Sequence, residues 1–427
     1  MEQPQRGRCV APGQQSTRWR AGDRGATRKI AGAILAVSQS LHAGAAAAAT
    51  PEEAARAPEA TLQSDSPGPA APAGSKFKDP GDGQFDVSQV LEKPHGFLPV
   101  PLVVTEPAVG YGGGVAGMFL RPRRDAGAEG WARPNISALG GLGTQNGTWL
   151  AFAADSSRWV GGRLSTLLAG GTGKANLDFY GAGLGLPQPD QPYRYSLKFS
   201  GGVAQADWQL MPRSPWSAGL RYVYAEITPE LRDPAEFPVP PVQRGVTVSA
   251  PTAILEYDSR NNIFTPTRGV YAETSYLVSR RGLGSSVDFE RFEQILLGWL
   301  PLPHDVTLGG WANYAWASAG APFFLRPYVQ LRGVPAMRYQ GDQVASLEVE
   351  ARWQCSGRWS LVPFAGVGAT RLDRSLTPTS GQRVGSGGLG IRYELARKFG
   401  LHAGLDFAHS AGTNAVYLQI GNAWFRP

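Results

Sequence analysis

The sequence predicts an all-β protein, a transmembrane antiparallel barrel of about sixteen strands. Three observations carry that expectation. From Phe97 onward, segment after segment alternates apolar and polar residues with a period of two. Glycine supplies 55 of 427 residues while charged side chains make up only 18%, a balance that favours turns and strand bends over solvated helices. The connections between the alternating segments are unequal, long on one side and short on the other. No apolar run approaches the roughly 20 residues that a spanning helix needs.

The chain starts with an address. Residues 1–29 hold seven Lys/Arg against two acids, and "IAGAILAVSQSLHAGAAAAAT" follows. Basic, then apolar, then small is the order of a secretory signal. Residues 1–49 are therefore expected to be a signal peptide cleaved near Ala45 to Ala49. Residues 50–96 are rich in Pro and Ala in their first part and carry four Lys/Arg against eight acids. They cannot bury a core and read as a disordered linker, with a short docked segment near 82–92 in which Asp86 caps one turn of helix. The barrel is expected over 97–427, which keeps thirty basic residues against twenty-four acids.

Strands are expected to begin near residues 98, 109, 131, 146, 158, 192, 215, 246, 269, 285, 305, 343, 358, 382, 399 and 414. An even number returns both chain ends to one rim. Four connections on the other rim are long: 181–192, 229–245, 319–342 and 372–381. On the rim of the chain ends, 156–157, 211–214, 301–304, 355–357 and 396–398 are short, with 122–130 and 258–268 as exceptions. Tilted strands need only about 9–11 residues to cross a bilayer, so the length fits.

Strand parity also sorts the charges. In 216–226, Trp216, Leu220, Tyr222 and Tyr224 share one face. In "QVASLEVEARW" (343–353), Leu347, Val349 and Trp353 oppose Glu348, Glu350 and Arg352. In 387–395, Leu389 and Ile391 oppose Arg392 and Glu394, and in 401–409 Leu405 and Phe407 oppose His402 and Asp406. In a membrane barrel the apolar face meets lipid and the charged face lines the lumen. In a soluble sandwich the apolar face would meet a core, but that reading leaves the leader and the one-sided long loops unexplained.

Several function classes find no support. Only Cys9 and Cys355 are present, one of them in the leader, so neither an intramolecular disulfide nor a zinc spacing exists. No basic run with interleaved aromatics marks a nucleic-acid binder. "GYGGGVAG" (110–117) lacks the Lys-Ser/Thr of a phosphate loop. His402 and Asp406 share a face but stand about 13 Å apart along a strand. No enzyme and no cofactor are expected.

Residues 322–343, "PFFLRPYVQLRGVPAMRYQGDQ", have no strand or helix period and lie between the eleventh and twelfth strands. With Leu331-Arg332-Gly333-Val334 at its centre, this long sixth loop resembles that of the bacterial surface antigen family, the BamA/TamA-like outer-membrane assembly barrels. "YDSRNNIFTPTRGVY" (257–271) matches a second motif of that family through Asp258, Arg260, Asn261, Pro266 and Gly269. The resemblance covers roughly 97–427. It implies a sixth loop folded back into the lumen, where Arg332 pairs with acids on the inner wall. Parity offers Glu350 and Asp406 first, then Glu348 and Glu394, with Arg352 and Arg392 as further lumen charges. A walled-in arginine wants charge-assisted, bidentate carboxylates, and Gly333 allows a sharp turn beside it.

The resemblance further implies a C-terminal assembly signal in Gln419, Gly421, Trp424 and Phe425, and a chain that is itself inserted by the barrel assembly machinery. Two departures stand out. Gly366 occupies the place of a strand-13 acid, and the loop tip ends in Val334 where the family has an aromatic. Residues 50–96 look too short and too polar for the family's POTRA modules.

The expected location is the Gram-negative-type outer membrane, and the expected partners are its lipid and unfolded outer-membrane protein clients. Insertion or translocation of protein or lipid through a weak first–last strand seam is the leading role, since Pro99, Pro101 and Pro107 remove ladder donors there. A passive or plugged channel is the alternative.

Overall fold

The computed structural model describes residues 77–91, 96–121, 135–180, 192–212, 214–231, 245–373, 381–410 and 412–424. The signal peptide, most of the linker, most of the predicted long loops at 181–192, 229–245 and 372–381, and Phe425 lie outside these residues.

One short helix, α1 (Ser88–Leu91), precedes sixteen strands: β1 (Gly96–Val104), β2 (Gly112–Arg121), β3 (Asn135–Thr144), β4 (Trp149–Trp159), β5 (Leu164–Phe179), β6 (Tyr193–Gln209), β7 (Trp216–Leu231), β8 (Val246–Asp258), β9 (Gly269–Ser279), β10 (Phe289–Leu302), β11 (Val306–Ala317), β12 (Gln343–Ser356), β13 (Trp359–Arg371), β14 (Gly381–Ala396), β15 (Leu401–Ser410) and β16 (Thr413–Ile420). Each pairs antiparallel with its sequence neighbours in a single sheet, so every contact between strands is made by a simple hairpin. The sheet curls into a nearly closed barrel. Its order ends at β1 and β16, and no ladder joins these two strands among the described residues. Both the start of β1 and the end of β16 lie on one rim, here called the terminal rim.

The alternation in the sequence sets which way each side chain points, because successive residues of a strand face opposite sides. Leu220, Leu347, Val349, Val367, Leu389, Leu405 and Phe407 point outward and are exposed, while Glu348, Glu350, Arg352, Arg392 and Asp406 point inward and are buried. This is the polarity of a barrel whose outer face meets a nonaqueous medium. Trp159, Trp208, Trp216, Trp353 and Trp359, all exposed, sit at strand ends along the terminal rim and form an aromatic girdle.

The lumen holds a long loop. The β11–β12 connection, residues 318–342, enters the barrel and packs on both walls. Its Val329, Leu331 and Val334 join Tyr271, Ile295, Leu297 and Trp311 in one apolar cluster. Phe324, Leu325 and Met337 join Phe179, Tyr195, Ile227 and Val248 in another. Each such burial stabilises by about 1.5–3 kcal/mol, enough to hold an otherwise irregular segment inside. Gly366 and Gly368 face inward beneath it. A Cβ on Gly366 would come within 2.8 Å of Leu331 Cδ2, and one on Gly368 within 2.4 Å of Val329 Cγ1. The glycine that replaces the expected acid on β13 thus makes room for the loop.

The terminal rim is covered from two directions. The β8–β9 connection packs Phe264 against Ala396, Phe399 and Leu401. Residues 77–91 dock on the β12–β13 and β14–β15 turns, with Val87 N–H donating to Leu395 O at 3.0 Å. Asp86 Oδ1 accepts from Ser88 N–H at 2.6 Å and starts α1. The docked segment therefore begins at least five residues before the 82 expected from the sequence.

Candidate functional site

Arg332 lies at the innermost point of the β11–β12 connection and is buried. Its guanidinium is divided among three carboxylates: Nε donates to Glu348 Oε1 at 2.8 Å, Nη2 to Glu350 Oε2 at 2.9 Å and Nη1 to Asp406 Oδ2 at 2.8 Å. Its backbone N–H adds a bond to Glu348 Oε2 at 3.1 Å. The guanidinium plane covers the Phe364 ring, with Cζ 3.7 Å from the centroid. All five donors of an arginine fork are suited to such division, and a lysine could not reproduce it.

The strands dictate this convergence. Glu348 and Glu350 are two apart on β12, so both point inward. Asp406 comes from β15, across β13 and β14. It is held by a second arginine: Arg392 Nη1 donates to Oδ1 at 2.5 Å and Nη2 to Oδ2 at 2.9 Å. Buried charges are stable only when each is paired and hydrogen-bonded, and here the three acids share two arginines with all bonds directed. Gly333 follows with φ +88°, the left-handed region. A Cβ there would stand 3.2 Å from Ala408 Cβ, and its N–H donates to Tyr417 Oη at 2.9 Å.

Glu348, placed behind Glu350 and Asp406 in the sequence reading, contacts Arg332 directly. Glu394 does not. Glu394 stands near the end of β14, two residues closer to the terminal rim than Arg392, and lies 3.6 Å from Arg397. Arg352 also stays out of the cluster. Its Nη2 donates to Pro266 O at 3.1 Å and tethers the β8–β9 connection.

In that connection Arg260 binds Asp258 through Nε at 2.8 Å and Nη2 at 2.7 Å, and lies 4.5 Å from the centroid of Tyr271. Asn261 accepts from the N–H groups of Thr267 and Arg268, both at 3.1 Å. Gly269, at φ +104°, has no room for a Cβ beside Ser259 O. Asp258, Arg260, Asn261, Pro266 and Gly269 thus serve to shape and tether a turn.

The C-terminal segment takes an unforeseen course. Gln419 lies in β16, which ends at Ile420, and at Gly421 (φ +82°) the chain turns inward, where Gly421 N–H donates to His402 O at 2.7 Å. Trp424 then reaches the lumen cluster: its Nε1 donates to Glu348 Oε1 at 2.7 Å, and its ring lies 5.6 Å from Arg332 Cζ. The sequence reading named Trp424 only as part of a C-terminal assembly signal and did not place it beside the Arg332 cluster.

Two further groups carried no signal in the sequence reading. Glu106, in the β1–β2 connection, accepts from Ala336 N–H of the lumen segment at 3.1 Å. Burial pushes its carboxyl above the usual range, more than its two backbone bonds lower it. Arg358, in the β12–β13 turn, is fully buried by Asp79, Asp82 and Asp86 of the docked segment, at 2.5, 2.7 and 2.6 Å. The acids of "DPGDGQFD" were visible as charge; their partner lies far along the chain.

No protein-family model and no curated protein sequence matches the chain. Among solved structures, the crystal structure of BamA from Haemophilus ducreyi lacking POTRA domains 1–3 aligns with a TM-score of 0.51 at 13% identity, over 76% of this chain and 68% of that one. CdiB from Escherichia coli aligns with a TM-score of 0.53 at 10% identity, and CdiB from Acinetobacter baumannii with 0.51 at 8%. Both alignments cover 76% of this chain, which spans only 61% and 59% of the two CdiB chains. At these identities the likeness is one of fold: a sixteen-stranded barrel of the BamA and CdiB kind.

Proposed function

We propose that this chain is an outer-membrane barrel of the BamA/TamA-like surface antigen family that inserts or translocates proteins, or lipids, at the β1–β16 seam. One observation carries the reading: a locked segment packs inside the lumen, while the two edge strands share no ladder among the described residues. An axial pore needs an open lumen, and a lateral route needs a weak seam. The outward apolar band and the tryptophan girdle support an outer-membrane location. Its partners on this reading are membrane lipid and unfolded outer-membrane proteins. The terminal rim then faces the periplasm.

The test is the outer-membrane proteome of a deletion strain, with lipid asymmetry read from the same cells. Depletion of a few β-barrel or surface proteins supports an assembly role and names the clients. An unchanged proteome with altered small-solute permeability supports the plugged-channel reading instead. An unchanged proteome with altered lipid asymmetry leaves lipid as the cargo.

A further inference from the structure

Residues 77–86 form a small hairpin at the terminal rim. Asp79 N–H donates to Gln84 O and Asp86 N–H to Phe77 O, both at 3.0 Å, and Lys78 bridges to Phe85. The turn runs through Pro80-Gly81-Asp82-Gly83, with Gly83 at φ +69° and Asp79 Oδ1 accepting from Gly81 N–H at 2.7 Å. This closure brings Phe77 and Phe85 together. Their rings lie within 5° of parallel with centroids 6.2 Å apart, and both side chains are half exposed.

The hairpin is joined to the outer face of the barrel. Tyr393 on β14 is the register partner of Trp359 on β13, and their rings meet edge to face at 5.0 Å. Tyr393 shares the outward face of Leu389 and Ile391. Its hydroxyl donates to Phe85 O at 2.8 Å. The aromatic girdle at the foot of β12–β14 thus continues from Trp359 through Tyr393 to Phe85. We propose that the Phe77–Phe85 pair is a membrane-interface anchor, seated among the lipid headgroups on the terminal-rim side and held there by Arg358. The proposal rests on the membrane reading of the barrel.

Continuity with the girdle identifies the occupant. Two stacked rings left half in water are unfavourable apolar area, and a patch of that kind marks a binding surface. Their neighbours Trp359 and Tyr393 stand at the level where aromatic side chains meet headgroups. A protein covering the pair would have to displace lipid from those two residues as well. The charges of the hairpin fit the same occupant. Arg358 bonds all three of its aspartates, and Arg397 lies 3.5 and 3.3 Å from Asp79 and Asp82. The hairpin therefore turns no uncompensated carboxylate toward anionic headgroups. Lys78 is exposed and makes no ion pair among the described residues. Arg358 is a positioning residue: it also donates to Phe85 O, which fixes where the rings sit.

The experiment is fluorine NMR on the mature barrel in phospholipid nanodiscs, with para-fluorophenylalanine placed singly at Phe77, Phe85 or Phe407. Phe407 lies outward on β15 and is the control for lipid contact by the wall. Line broadening is read with a nitroxide on the lipid headgroup, with a nitroxide deep in the acyl chain, and with a water-soluble gadolinium chelate. Positioning is tested by the same lines in Arg358→Ala and, with the barrel turn intact, in Asp79→Asn/Asp82→Asn/Asp86→Asn.

The expected result is loss of the Phe77 and Phe85 lines with the headgroup nitroxide, little loss with the chelate, and loss of the Phe407 line with the acyl-chain nitroxide. In both variants the headgroup effect at Phe77 and Phe85 falls and the chelate effect rises, with Phe407 unchanged. Broadening of the Phe77 and Phe85 lines by the chelate alone, beside the expected Phe407 response, overturns the anchor and leaves the membrane barrel standing. Lines at Phe77 and Phe85 that respond to neither agent mean that protein covers the pair, which also overturns it. A Phe407 line untouched by the acyl-chain nitroxide overturns the membrane reading and the anchor with it. Unchanged headgroup broadening in both variants removes Arg358 from the anchor.

Discussion

The indole N–H of Trp424 donates to Glu348 Oε1, the same oxygen that receives the Nε proton of Arg332. The two donors come from opposite ends of the folding problem, one from a segment threaded through the lumen and one from the chain's C-terminal turn. Trp424→Phe keeps a ring near the guanidinium but removes the donor, a loss of about 0.5–1.5 kcal/mol. Trp424→Ala removes the half-buried ring as well and should cost more, toward the lower end of the roughly 3–5 kcal/mol of a fully buried aromatic. Urea unfolding midpoints of the refolded barrel, in that order, check this; equal midpoints for all three proteins would remove Trp424 from the lock.

Arg332→Ala leaves Glu348 and Glu350 buried without their cation and Asp406 with Arg392 alone. Stranding buried carboxylates costs about 3–5 kcal/mol. The heat-modifiable gel shift of outer-membrane fractions should fall well below wild type. Arg332→Lys keeps the charge but cannot span three acceptors, and its folded fraction should lie between the two. Wild-type behaviour of Arg332→Ala would mean that the apolar contacts of Val329, Leu331 and Val334 suffice to seat the loop.

Gly368→Ala places a methyl group 2.4 Å from Val329 Cγ1. Overpacking of that kind costs about 1–3 kcal/mol. Adding Val329→Ala opens the space again, so the double variant should be more stable than the sum of the single effects predicts. Simple additivity of the unfolding midpoints would show that the loop does not press on β13.

The docked segment, residues 77–91, should respond to acid. Hydrogen bonding from Arg358 holds the Asp82 carboxyl below its usual range. Burial pushes Asp86 up, but bonds from Ser88 and Arg358 outweigh it and leave that carboxyl lowered too. Asp79, Glu394, Arg358 and Arg397 complete the charged surroundings. A carboxyl with a depressed folded pKa stabilises docking above its unfolded pKa and loses that contribution as pH falls through the folded value. Docking should therefore be constant from neutral pH down to about 4 and weaken below it. A spin label at Phe85 that mobilises only below that point agrees; one already mobile at pH 7 contradicts it.

Much of this architecture was legible because a barrel strand writes its orientation into every second residue. The alternation of 343–353 was enough to put Glu348, Glu350 and Arg352 on the inner wall, and that of 401–409 to add Asp406. Parity could not rank the acids, because rank depends on how deep the loop descends. It grouped Glu394 with them, because parity fixes the face of a residue and not its height along the strand, and Glu394 stands near the end of β14. The contact of Trp424 with Glu348 carried no signal, because one left-handed glycine, Gly421, redirects the chain after the last strand. Arg358 stayed invisible because its partners sit more than 270 positions away. A short turn beside a polar segment carries no periodicity from which such a contact can be read.

The Arg332 lock draws its parts from residues 332, 348, 350, 406 and 424, in that order along the chain. Ribosomes and secretion machinery release a chain in the same order. A molecule truncated before Asp406 holds a buried arginine with two of its three acids, and one truncated before Trp424 lacks the last donor to Glu348. The lumen therefore contains a record of whether the chain has been made to its end. An unfinished barrel carries an unsatisfied charge cluster at its centre, and the strand and turn that complete it are the last to arrive.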